Sequence, residues 1–109
     1  MGTSLANTNT LLAFRMGYTV RTKDQGHPYA GWDRPGQRPI SIETWRPTQD
    51  PEQAVACLNA ATGHGAWKLE HHAPLDTYQA RCAPRFSRNG DTAAEAMARL
   101  ALQVFQEGA

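Results

Sequence analysis

The chain has 109 residues, 19% of them charged, and a net charge of +1, which is the size of one domain. Leu, Ile, Val and Phe together number 16, whereas alanine alone numbers 17. Few large aliphatic residues accompany disorder only when the net charge is high, so we expect a folded domain with a small, alanine-rich core. The composition excludes a membrane-spanning helix, a collagen, a coiled-coil rod and a disulfide scaffold.

The N-terminal segment is predicted to be a short helix, Thr3–Met16, because Leu5 and Leu12 share one of its faces. Gly17 follows as a C-terminal stop. Residues 18–22 alternate and are rich in side chains that favour β structure, which predicts a short strand.

The least regular stretch is an insert, Asp24–Pro39, with three glycines, three prolines and no aliphatic side chain larger than alanine. We expect neither a helix nor a central strand there, because proline removes a backbone donor. Tyr29 and Trp32 stand among the glycines. Two interpretations stay open: these aromatic residues form a recognition surface, since long loops are usually functional, or they fold back to cover the small core.

A second strand and a second helix follow the insert. Apolar and polar residues alternate over 40–45, which predicts a strand. Asp50 then provides an acidic N-cap, Pro51 occupies the first helical position, and Gln53 is placed to complete a capping box. The predicted helix ends before Gly63.

The C-terminal half predicts a hairpin and a final helix. Residues 66–71 and 77–82 alternate as strands around a turn, and 84–90 are predicted to be a loop. The last helix begins at a capping box formed by Thr92 and Glu95. The elements together predict a single α+β domain over residues 1–109, a small antiparallel sheet with helices packed on it in the order α-β-β-α-β-β-α, with 24–39 as a loop insert.

No pattern of catalytic or metal-binding residues is found in the sequence. His71 and His72 would point to opposite faces of a strand, and with His64 they match no zinc spacing. Cys57 and Cys82 fit small packed thiols in a reducing compartment. We therefore expect no catalytic residue, no metal and no cofactor.

Arginine supplies nine of the eleven basic residues, and its planar fork suits carboxylates and phosphates. Arg81, Arg85 and Arg88 with Phe86 predict a small basic patch with one aromatic side chain. Such a patch binds a nucleic-acid backbone, binds an acidic protein surface or is a solvated loop, and the sequence leaves these alternatives open.

Several segments of the C-terminal two-thirds resemble one family. WRPTQDPEQAVACLN (45–59), the strands AWKLEHH and TYQARC, and the closing FSRNGDTAAEAMARLALQV are similar to small bacteriophage proteins with an α/β/α ("ABA") sandwich domain, as is the opening TNTLLAFRMGY. The resemblance leaves out the insert and carries no catalytic residues. It implies a phage or prophage accessory protein, and some phage proteins of this size are anti-CRISPR proteins that bind and occlude a host complex.

We therefore expect a non-enzymatic interaction protein, plausible as an inhibitor of a CRISPR–Cas type host defence complex, with nucleic-acid binding through the Arg81 patch as the alternative. The N-terminus lacks the features of a secretory signal, so we expect the host cytoplasm and no membrane contact. The oligomeric state stays open, although a thin core favours a symmetric dimer. The predicted partner-binding residues are Tyr29, Trp32, Arg34, Arg38, Arg85, Phe86 and Arg88.

Overall fold

Three helices and six short strands make up most of the described chain, which comprises residues 5–21, 31–36, 38, 40–41, 44–63, 66–73, 75–82 and 86–107 of the computed structural model. The predicted α+β class and single domain are confirmed, but each half contains one more strand than predicted. In chain order the elements are α1 (Leu5–Arg15), β1 (Thr19–Arg21), β2 (Gly31–Asp33), β3 (Ile40–Ser41), α2 (Pro51–Thr62), β4 (Trp67–His72), β5 (Thr77–Cys82), β6 (Phe86–Gly90) and α3 (Ala93–Glu107).

The first sheet is antiparallel in the order β1-β2-β3, so its central strand comes from the insert. Trp32 pairs with Val20 on one side and with Ile40 on the other. The prediction that no central strand forms here was wrong, because Pro28 and Pro35 lie on either side of Gly31–Asp33 in the sequence and leave its backbone donors intact.

The predicted strand over 40–45 is shorter than expected, and its C-terminal aromatic residue serves the core instead. The strand covers Ile40–Ser41, and residues 42–43 lie outside the described part of the chain. Trp45 is 6% exposed, and its indole N–H donates to the backbone carbonyl of Asn9 at 2.8 Å. The Asn9 side-chain oxygen accepts from the backbone N–H of Thr48 at 3.0 Å. Asn9 of α1 therefore bonds the connection between β3 and α2 at two points.

The second sheet is antiparallel in the order β4-β5-β6. Its β4–β5 hairpin confirms the prediction for 66–71 and 77–82, within one residue. The loop predicted over 84–90 was wrong, since Phe86–Gly90 pairs with β5 from Cys82 to Tyr78. Residues that face one another across these strands share a face, and the face towards the core carries Trp67, Leu69, Tyr78, Ala80, Cys82 and Phe86.

Side-chain caps define the starts of α2 and α3, as predicted. The Asp50 carboxylate accepts from the N–H groups of Glu52 and Gln53 at 3.0 and 3.3 Å, and Gly63 ends the helix with φ +63°. The reciprocal bond expected from Gln53 was wrong, because its side chain bonds the preceding connection at Thr44 and Arg46.

Helix α3 begins at the predicted Thr92 cap, but the reciprocal bond of Glu95 goes to the residue before Thr92 rather than to Thr92 itself. The Thr92 hydroxyl accepts from the N–H of Glu95 at 3.1 Å, and the Glu95 carboxylate accepts from the N–H of Asp91 at 2.6 Å. The helix packs against α1, α2 and strands β4–β6, so it forms the centre of the core. Small side chains dominate its buried positions, which include Ala94, Ala96, Met97, Ala98, Leu100, Ala101, Leu102 and Val104.

Candidate protein-binding surface

Helix α1 carries most of the exposed large apolar side chains in the described part of the chain. Leu5 and Leu11 are each 36% exposed and Phe14 is 49% exposed, whereas the fourth such residue, Leu75, lies in the β4–β5 turn. Asn7, Leu11 and Phe14 recur at positions i, i+4 and i+7, so they share the outer face of α1. An exposed apolar pair on one outward helix face makes this face a candidate contact surface.

Phe14 rests on the tryptophan of the insert. The two rings meet edge to face, with centroids 5.5 Å apart and planes inclined at 81°, which is a favoured aromatic geometry. Trp32 itself is only 4% exposed. A surface contact role for Trp32 does not fit this position, whereas the alternative interpretation, that it covers the core, does.

Arg34 joins the insert to the end of α1. Its Nη1 donates to the backbone carbonyl of Met16 at 3.1 Å, and its guanidinium lies 5.3 Å from the centroid of the Tyr18 ring. The last carbonyls of a helix lack partners within the helix, and a cation there is favourable. Arg34 therefore connects the turn after β2 to the C-terminal end of α1.

Two further arginines of α1 and of the β2–β3 connection are exposed. Arg15 follows Phe14 and lies four residues after Leu11, and Arg38 lies in the connection between β2 and β3 that also contains Arg34. Neither Arg15 nor Arg38 forms an ion pair with any residue that the structure describes. We call Leu11, Phe14, Arg15, Arg34 and Arg38 the Phe14 surface.

The remaining predicted contact residues do not belong to the Phe14 surface. Tyr29 and Arg85 lie outside the described residues. Phe86 is half-buried and packs against the core, and Arg88 is exposed, both on β6 of the other sheet. The structure thus brings Arg34 and Arg38 together in one turn and places Phe86 and Arg88 elsewhere.

The basic patch predicted around Arg81 is divided between two faces. Arg81 pairs with Ser87 across the sheet, whereas Arg88 pairs with the buried Ala80. Neighbouring residues of a strand point to opposite sides, so the two guanidinium groups leave β5 and β6 on opposite faces. Arg81 also forms an ion pair with Glu70. The described arginines therefore do not form one continuous phosphate-binding surface.

The two histidines of β4 contact residues of the β4–β5 turn and of β5. His71 Nε2 lies 2.8 Å from a carboxylate oxygen of Asp76, and its ring stacks at 4.7 Å on Tyr78. His72 Nε2 lies 3.2 Å from the side-chain oxygen of Gln79, on the other face. Within the described ranges, no group of three His, Cys, Asp or Glu side chains could hold a metal ion. His64 lies outside those ranges.

Both cysteines are free thiols, and one is deeply buried. Cys57 is fully buried in α2, and desolvation raises its pKa from 9.0 to about 12. A thiol is nucleophilic only as the thiolate, so Cys57 is inert near neutral pH. The packed-thiol interpretation therefore fits this residue.

A cleft of about 370 Å³ lies where α2 and α3 begin. Helix N-termini attract anions, but the Asp91 and Glu95 carboxylates line this cleft, and Glu95 already accepts a backbone bond there. Thr48 also lines this cleft, and its hydroxyl is shielded from solvent and has no partner among the described residues. The chain's own carboxylates thus occupy the position that an anion would take.

The exposed pair on α1 was missed at the sequence level. The helix prediction rests on Leu5 and Leu12, and the sequence analysis assigns no contact role to Leu11 or Phe14. Leu11 and Phe14 are three residues apart and lie on a different face from Leu12, which is the signal for a second apolar face.

No helix among the described residues is long and apolar enough to cross a membrane.

Comparison with known proteins identifies no relatives. No family model matches the chain, no curated protein matches it, and no solved structure matches its fold. The resemblance to phage ABA-sandwich proteins therefore stays a prediction from the sequence segments quoted above.

Proposed function

We propose that this protein is a non-enzymatic interaction module that binds another protein through the Phe14 surface. The observation that carries the proposal is the pair of exposed apolar side chains, Leu11 and Phe14, on the outer face of α1. Arg15 of the same helix and Arg38 of the β2–β3 connection are exposed and form no ion pair with the described residues. Aromatic and arginine side chains are enriched among the residues that dominate binding energy in protein interfaces.

Phe14 has the properties of an anchor residue. Its edge contact with Trp32 orients the ring before a partner arrives, while 49% of the residue stays accessible. A side chain that is already ordered loses less conformational entropy on binding. Burying the exposed part of Phe14 against a partner would therefore contribute about half of its transfer free energy to affinity.

The finer proposal concerns the partner. The resemblance to phage accessory proteins favours a host defence complex of the CRISPR–Cas type, which the protein would bind and occlude. The small size of the domain is compatible with this role, because an occluding protein needs a contact surface and no catalytic site.

The interaction is tested by charge insertion at two exposed apolar positions. Phe14→Asp should reduce capture of a host partner on a purified protein column about 30-fold, the effect of losing an anchor worth about 2 kcal/mol. Leu75→Asp is the matched control, because Leu75 is 78% exposed in the distant β4–β5 turn. Equal capture by both variants, each shown to fold by circular dichroism, would refute the role of the Phe14 surface.

The finer proposal has its own assay. Expression of the protein in bacterial strains that carry different active CRISPR–Cas systems should restore plating of a targeted phage in at least one strain. Phe14→Asp should abolish this restoration and Leu75→Asp should retain it. Absence of restoration in every strain would remove the defence-inhibitor proposal while leaving the interaction module intact.

A further inference from the structure

Cations outnumber carboxylates near Phe14. In α1, the first sheet and its β2–β3 connection, the charged side chains that the structure describes are those of Arg15, Arg34 and Arg38 and one carboxylate, that of Asp33. Arg34 is held at the end of α1 by the Met16 carbonyl and the Tyr18 ring. Arg15 and Arg38, which have no ion-pair partner in the described ranges, are therefore the cations that a partner would meet.

The outer face of the second sheet provides the contrast. There Arg81 is neutralised by Glu70, and Glu70 Oε2 also lies 3.8 Å from His72 Nε2. Of the charged side chains on that face, Lys68 alone has no ion-pair partner among the described residues. The Phe14 surface differs because two exposed arginines, neither of which forms an ion pair with a described residue, accompany exposed apolar side chains there.

We infer that the Phe14 surface takes a protein segment in which Asp or Glu side chains flank a large apolar residue, an inference that rests on the proposed function. Phe14 would pack against the apolar residue, and Arg15 and Arg38 would pair with the carboxylates at the rim of this contact. Complementary charge at a rim accelerates association and selects against wrong partners. The arginine fork fits a carboxylate with two parallel hydrogen bonds.

The inference is tested with random peptides displayed on yeast, sorted against the full-length protein and then measured individually. The sorted peptides should combine a net negative charge with at least one large apolar residue. Their affinity should fall as salt rises from about 50 to about 500 mM, because exposed charges are screened. Peptides that are neutral or basic would overturn the inference.

Charge reversal distinguishes the acidic partner proposed here from the interaction through Phe14 on which it rests. The double variant Arg15→Glu, Arg38→Glu should weaken a sorted peptide at least about tenfold, mainly through slower association. Arg88→Glu is the matched control, an exposed arginine on the other sheet. Peptides whose binding is lost with Phe14→Asp but is unchanged by the double reversal would refute the acidic segment and leave the interaction module standing. If no peptide depends on Phe14, both proposals fail.

A labelled single-stranded DNA oligonucleotide and its RNA equivalent complete the experiment. We expect no binding of either near physiological salt. Binding that the double reversal removes but Phe14→Ala retains would identify a nucleic-acid surface, since phosphates need cations and no apolar anchor. That result would overturn the acidic-protein inference. Circular dichroism of each variant checks that folding is unchanged.

Discussion

Replacement of Gly90 with alanine should destabilise the protein, because β6 approaches α3 most closely at this residue. An alanine Cβ at Gly90 would lie 2.6 Å from the backbone nitrogen of Ala96 and 3.0 Å from the carbonyl carbon of Glu95. Both atoms belong to a helix backbone that is packed on several sides. Neither atom can move aside as the end of a flexible side chain would, so the strand and the helix must separate.

The magnitude follows from two opposing effects. Overpacking of this kind costs about 1–3 kcal/mol. Because both atoms that the added methyl group meets are backbone atoms, Gly90→Ala should cost close to the upper limit of that range. Alanine also restricts the unfolded chain, which returns about 0.4–1 kcal/mol. The net loss should be about 2 kcal/mol. For a chain of 109 residues, this corresponds to a fall in Tm of about 8 °C.

Thermal unfolding followed by far-ultraviolet circular dichroism measures this loss, with Gly63→Ala as the control. Gly63 has φ +63°, and no described atom lies within 4 Å of the position that an added methyl group would take, so its substitution tests backbone conformation without steric contact. That variant should lose about 1 kcal/mol. If Gly90→Ala costs no more than Gly63→Ala, the close approach of β6 to α3 is wrong.

Substitutions at three other positions test two hydrogen bonds and the burial of a thiol. Asn9→Ala should lower the free energy of unfolding in urea by about 1–2 kcal/mol, since the Thr48 N–H loses its acceptor, whereas Asn9→Asp should retain most of it. Thr92→Ala should cost about 1 kcal/mol in the same assay, and Thr92→Ser much less, because Thr92 caps α3. Burial raises the pKa of Cys57 from 9.0 to about 12, so the unfolded chain releases this proton first as pH rises. The free energy of unfolding therefore falls as pH rises through 9, by about 1.4 kcal/mol between about pH 8 and about pH 10. Cys57→Ala should reduce the fall in unfolding free energy over this range by the same amount. An unchanged fall would contradict the burial of Cys57.

The elements that could be predicted are those whose signals are local. Asp50 and Gly63 bound α2 as expected, and the Thr92 cap starts α3. The β4–β5 hairpin follows from two alternating runs joined by a short turn. In each case, the residues that specify the element lie within a few positions of one another, so no tertiary contact is needed to identify them.

The two missed strands depend on distant partners. Gly31–Asp33 contains one large side chain, and its strand geometry comes from pairing with β1 and β3 on both sides. Phe86–Gly90 has three exposed residues, and it is held by β5 and by α3. Strand propensity measures fit to a packed surface, and that surface does not exist until the chain has folded.

The candidate site was located only in part for the same reason. Arg34 and Arg38 were predicted as contact residues, and they lie in the turn beside α1. Leu11 and Leu12 are adjacent, yet Leu12 is fully buried and Leu11 is 36% exposed. Which of them faces solvent depends on where α3 and the first sheet lie against α1, and the helix sequence alone does not determine that.

Burial of Trp32 changes how a loss of binding at this residue must be interpreted. Trp32 was among the predicted contact residues, with a role in covering the core as the open alternative, and the structure places it beneath Phe14 with 4% exposed. Trp32→Ala should therefore weaken partner binding indirectly, and it should also lower Tm, because removing a buried tryptophan costs about 3–5 kcal/mol. Phe14→Ala should weaken binding with a much smaller change in Tm, since half of Phe14 is already exposed. Loss of binding by Trp32→Ala at unchanged stability would restore a direct contact role for Trp32 and refute its role as support.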